Sequence, residues 1–128
     1  MPINYRIDLR QNMIWTTVTG ILTDGELLEH KQKIVRDPDF RPGMRELSDV
    51  RNVEQIDITS EGVQRFVAQD ADDVLLLRNH RIAIVAQEDV VFGMARMYAM
   101  MTEKYLGDVM VFRDMEDAIA WLGIEEQG

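Results

Sequence analysis

Residues 80–86 read His80-Arg81-Ile82-Ala83-Ile84-Val85-Ala86, a short unbroken apolar run behind two polar residues. A run of this length that does not alternate suits a strand buried on both faces of a parallel sheet. Parallel strands are joined by crossovers rather than hairpins, so helices should lie on either side of the run. They do. Upstream, Thr59 or Ser60 is predicted to cap a second helix with the apolar face Val63, Phe66, Val67, Ala71, Val74 and Leu75. Downstream, Asp89 opens a third helix to about Lys104, and Gly107 turns the chain into a fifth strand, Val109-Met110-Val111-Phe112. Asp114 is predicted to cap a last helix carrying Ala118-Ile119-Ala120-Trp121-Leu122, which Gly123 ends.

The N-terminal half completes the pattern. Tyr5, Ile7 and Leu9 alternate with Arg6 and Asp8 as in a half-buried strand, and Arg10-Gln11-Asn12 reads as a tight turn. Met13-Ile14-Trp15-Thr16-Thr17-Val18-Thr19 is a second strand closed by Gly20, giving an antiparallel hairpin. Thr23-Asp24-Gly25-Glu26 is a capping box, and the helix it opens carries Leu27, Leu28, Ile34 and Val35 until Pro38 stops it. Arg45–Val50 reads as a short strand and Arg51–Ile58 as a loop. The order β-β-α-β-α-β-α-β-α predicts an α/β fold with a five-stranded mixed sheet and four main helices. Residues 1–123 form one predicted domain and 124–128 a frayed C-terminal tail. The predicted core includes Phe66, Ile82, Ile84, Val85, Phe92, Val109, Val111 and Trp121.

Composition narrows the partners. The 128 residues hold 14 Lys+Arg against 23 Asp+Glu, a net charge of −9, which disfavours nucleic acid because phosphate neutralisation needs clustered cations. There is no cysteine, so disulfides, thiolate metal ligands and thiol nucleophiles are excluded. No stretch approaches the roughly 20 apolar residues of a membrane span, and the first residues lack the apolar core of a signal peptide. A cytoplasmic domain is the expectation.

The element order, with Leu47-Ser48-Asp49-Val50 before a loop and Thr59-Ser60-Glu61-Gly62 at a helix start, resembles the SpoIIAA-like fold, whose members include STAS domains and bacterial anti-anti-sigma factors. The C-terminal half resembles small stand-alone bacterial STAS/SEC14 domain-containing proteins of unassigned function. The residues that carry this are His80–Ala86, Val91-Phe92-Gly93-Met94-Ala95-Arg96-Met97-Tyr98, Val111-Phe112-Arg113-Asp114 and Ala118–Leu122. The resemblance spans about Ile3 to Gly123. It implies a non-enzymatic interaction or regulatory module that acts through protein contacts. Its SEC14 side implies the alternative, a carrier or sensor of a small apolar or lipid-like ligand. Regulatory STAS domains place an Asp-Ser-Ser-Gly segment with a phosphorylatable serine at the second helix. In Asp57-Ile58-Thr59-Ser60-Glu61-Gly62 only Ser60 and Gly62 fit that segment, which makes Ser60 the candidate phospho-acceptor and Thr59 or Ser60 the helix cap.

The third helix is the other candidate site. Met94, Met97 and Met101 recur at i, i+3 and i+7, Tyr98 and Met100 widen the surface, and Arg96 is a candidate polar anchor. Methionine repacks around varied apolar partners, so this face reads as an apolar ligand or interface patch and predicts a homodimer, or else it fills the core. His30 and His80, the only histidines, have no ligand spacing; both read as structural, His30 as a surface partner of Glu26. Adjacent acidic pairs such as Asp72-Asp73 and Glu116-Asp117 carry no acid–base pattern, and no glycine-rich phosphate loop occurs. No catalytic residue, metal or cofactor is expected.

Overall fold

Ile3–Asp8 (β1) and Met13–Thr23 (β2) pair antiparallel, with Ile3 opposite Val18 and Asp8 opposite Met13. The computed structural model describes residues 2–72, 79–103 and 108–125. The predicted positions Val74, Leu75, Lys104 and Gly107, and the tail beyond Glu125, lie outside the described residues. The β1–β2 turn needs a left-handed residue, which Asn12 supplies at φ 57°, while Asp8 accepts from the amide of Arg10 at 3.0 Å.

After the hairpin the chain alternates α1 (Asp24–Arg36), β3 (Arg45–Asp57), α2 (Ser60–Asp72), β4 (Arg81–Val85), α3 (Asp89–Thr102), β5 (Asp108–Phe112) and α4 (Met115–Leu122). The strands lie in sequence order, β1 to β5, and every pair after the first is parallel. Each crossover therefore steps the same way across the sheet, and right-handed connections stack the helices they contain on one face. On that face Ile34 of α1, Val63 and Val67 of α2 and Tyr98 of α3 pack with Ile14, Ile82 and Ile84. The opposite face holds α4, whose Ala118 and Leu122 pack on Met13, Leu47, Ala83 and Val85. Ile82, Ile84 and Val85 are buried as predicted, whereas Phe66, Phe92, Val109, Val111 and Trp121 are half-buried against these clusters.

Two predicted boundaries are corrected. β2 does not close at Gly20 but runs to Thr23, and Arg51–Asp57 is the second half of β3 rather than a loop. The cause is a pair of register shifts, between Thr17 and Thr19 and between Gly20 and Ile21, each leaving an extra residue on β3. Gly20 accommodates the bend at φ +68°. The extension carries Leu22 and Val53 onto Ala86 and Val91, a third apolar cluster. At the other end Gly123 closes α4 in the left-handed conformation, its amide donating to Ile119 O at 3.0 Å. Beyond it, Ile124 packs with the α4 cluster and the Glu125 amide donates to Gln11 Oε1 at 2.8 Å.

A Cβ added at Gly20 would meet no atom within 4 Å, so the backbone conformation alone decides a substitution there. Gly20→Ala should cost about 1–2 kcal/mol in urea unfolding, and Gly20→Asn clearly less. Equal losses would show that the left-handed bend is not what Gly20 provides.

Candidate functional site

Strand alternation decides which side chains meet between the sheet and helices α1–α3. On β2, Ile14, Thr16 and Val18 point that way; on β3, Glu46 and Ser48 do. His80 continues the set formed by Ile82 and Ile84 one step before β4. Pairing puts Glu46 in one row between Ile14 and Ile82, and Thr16 beside Ser48 in the next. A glutamate is thereby placed in a row of isoleucines, only 7% exposed.

Its carboxylate is met on both oxygens. Thr16 Oγ1 donates to Oε2 at 2.9 Å and Ser48 Oγ to the same oxygen at 3.3 Å. His80 Nε2 lies 3.3 Å from Oε1, and His30 Nε2, reaching in from α1, lies 3.7 Å from Oε2. Burial pushes the Glu46 carboxyl upward, but the hydrogen bonds from His30 and His80 outweigh it and hold the group well below the usual glutamate range. His30 is thus not a surface partner of Glu26. It points inward, and its ring meets Tyr5 edge-on at 5.7 Å. Lys31, next on the helix and also 7% exposed, brings Nζ to 3.4 Å from the Tyr98 hydroxyl and 4.7 Å from the Phe66 ring.

These polar groups sit in the wall of a cavity of about 150 Å³ between the sheet and α1–α3. The rest of the wall is apolar, with Leu22, Leu27, Ile58, Phe66, Val91 and Met94 among its members. A surface pocket of about 230 Å³ lies between β1 and α1, edged by Glu26, Glu29 and Lys33; Ile3 and His30 belong to both walls. Among the described residues no group of three His, Asp or Glu side chains is arranged to hold a metal ion. The Ser48 hydroxyl donates to a carboxylate instead of an imidazole, so it is not set up as a nucleophile.

The predicted α3 patch divides. Met94 and Tyr98 line the cavity and Met101 packs on the core, while Arg96, Met97 and Met100 are exposed. At α2, Thr59 is the cap: its hydroxyl accepts from Gly62 N at 2.9 Å and donates to Asp24 Oδ2 at 2.7 Å. Asp24 Oδ1 also accepts from the Thr59 amide at 3.0 Å. The Thr59 hydroxyl and then its amide hold the Asp24 carboxyl below its usual range. A Cβ on Gly62 would overlap the Asp24 carboxylate, so a larger residue there would displace it from Thr59. Ser60 is the first helical residue and is exposed. The sequence singled out none of Thr16, Lys31, Glu46 and Ser48.

No family model and no curated protein matches the sequence. Among solved structures the chain is similar to an uncharacterised DUF3478-family protein with a SpoIIAA-like fold from Shewanella loihica PV-4. The identity is 18% and the TM-score 0.60, over 94% of this chain and 93% of that one. The fold is SpoIIAA-like. Among the described residues no helix is long and apolar enough to cross a membrane.

The depressed Glu46 carboxyl links the site to pH. A folded-state value below the unfolded one gives stability that is complete above the ordinary glutamate range and is lost as pH falls through the lower folded value. The urea midpoint should therefore drop as pH falls below about 5, through the ordinary glutamate range and beyond it, and Glu46→Gln should flatten that drop. At neutral pH the same substitution should cost about 1–3 kcal/mol. A slope unchanged by Glu46→Gln would assign the acid sensitivity to other carboxylates.

Proposed function

We propose that this domain is a non-enzymatic carrier or sensor of a small apolar ligand held between its sheet and helices α1–α3. The observation that carries this reading is the cavity, whose wall is apolar except for one cluster of hydrogen-bonding groups. Small-molecule sites share that character: a mostly apolar hollow with a few placed polar groups that fix orientation. The size argues for a ligand near benzene, since an engineered cavity of about 150 Å³ in another protein binds benzene. The carboxylate has its oxygens engaged by Thr16, Ser48 and the two histidines, an arrangement that satisfies a buried charge rather than one poised to attack a substrate.

Benzene titrated into the protein should shift the methyl NMR signals of the wall residues and raise the melting temperature. Ala95 lies in the wall on α3, so Ala95→Leu fills the cavity from that side and should abolish both effects while the protein stays folded. Methyl signals unmoved by benzene at saturation would sink the carrier reading.

A second reading, a module that acts through protein contacts as a homodimer, is favoured by the outer face of α3. There Val90 and Met100 are each 71% exposed and Met97 38% exposed. Met97→Glu should leave the fold intact and shift sedimentation from dimer to monomer. A wild-type protein that sediments as a monomer at high concentration would exclude self-association by this face.

A further inference from the structure

The polar end of the cavity specifies more than size. Thr16 and Ser48 give their hydroxyl hydrogens to Glu46, and a carboxylate can only accept, so His80 must present Nε2–H to it. In the neutral ring this leaves a lone pair on Nδ1. His80 is 1% exposed and is one of the residues lining the cavity, and its Nδ1 is buried with no hydrogen-bond partner among the described residues. A buried acceptor without a donor is costly, and a ligand that supplies the donor recovers that cost. Charge points the same way. The wall already contains opposite charges, Lys31 and Glu46, so an uncharged ligand leaves them balanced, whereas an ion would enter an apolar hollow uncompensated.

We propose that the cavity takes a small uncharged ring compound bearing a hydroxyl, about the size of phenol, which donates that hydroxyl to His80 Nδ1. The proposal rests on the carrier reading and adds the chemistry of the head group. The ring fills the hollow beneath Phe66 and Met94, and the hydroxyl enters the polar corner formed by β3 and the start of β4. Sites built to hydrogen-bond a hydroxyl discriminate against the analogue that lacks it, because binding that analogue leaves the protein's own group unpaired.

Phenol, benzene and benzoate are the probes, titrated into the wild-type protein with ring-labelled histidine and followed by NMR. Phenol should bind about tenfold more tightly than benzene. It should also move the 15N resonance of His80 Nδ1, which benzene should leave in place. His80→Phe keeps a ring in the wall without the nitrogen and should bring the two affinities together; if that variant does not fold, the wild-type 15N shift decides. Benzene binding with phenol no tighter, or with Nδ1 unmoved by phenol, overturns this proposal and leaves the carrier reading standing. Benzoate binding more tightly than phenol also overturns it, by showing an anion site built on Lys31. Binding of none of the three removes the carrier reading itself.

Discussion

The interior of this protein is organised around one buried charge. A carboxylate withdrawn from water costs several kcal/mol unless its lone pairs are met, and Glu46 can be met only where three strands and a helix converge. Thr16 comes from β2, Ser48 from β3 itself, His80 from the residue before β4 and His30 from α1. Those contacts also penalise misalignment. A slip of β3 by one residue would turn Glu46 to the α4 face, where Met13, Ala118 and Leu122 offer it nothing. Apolar strand faces tolerate many registers, whereas a buried charge with four partners tolerates one.

How much of this was legible in the sequence follows from which forces act locally. The apolar run at 82–86, the capping box at Thr23 and the glycine after Leu122 are local features, and they gave the element order and the mixed sheet. The second half of β3 was not legible, because Arg51–Asp57 reads as polar chain and is held as strand by its pairing with a bent β2. The site fell between these cases. Thr16 lies between Ile14 and Val18, His80 continues Ile82 and Ile84, and His30 falls between Leu27 and Ile34 on the inward stripe of α1. Each is a polar residue at an apolar phase, which was the available signal. That they converge on Glu46 depends on strand order, and no single segment encodes that.

Helix α3 shows the same limit from the other side. Its methionines follow helical spacing closely, yet spacing alone does not say which turn of the helix meets the sheet. Tyr98 settles the phase: its ring packs on Phe66 at 5.1 Å and its hydroxyl meets Lys31. With Tyr98 inward, Met94 and Met101 follow it within one turn, and Met97 and Met100 must point out. The one amphipathic residue whose polar tip needed a buried partner therefore fixed the face that four methionines left ambiguous.

The cavity has an energetic meaning beyond its shape. At about 24 cal/mol per Å³, a hollow of about 150 Å³ forgoes roughly 3–4 kcal/mol of packing, a large share of the 5–15 kcal/mol that typically separates folded from unfolded chains. A wall carrying Ala95, Val63 and Val91 could be closed by one or two larger side chains, each a single substitution away. Closing it would instead cover the polar corner where His80 stands, leaving its Nδ1 to be satisfied by the protein alone. Hollow and corner therefore belong together: the space gives an apolar body somewhere to pack, and the corner gives it one orientation. Ile3 and His30 line both the hollow and the surface pocket between β1 and α1, so the inward histidine that partners Glu46 belongs to both walls.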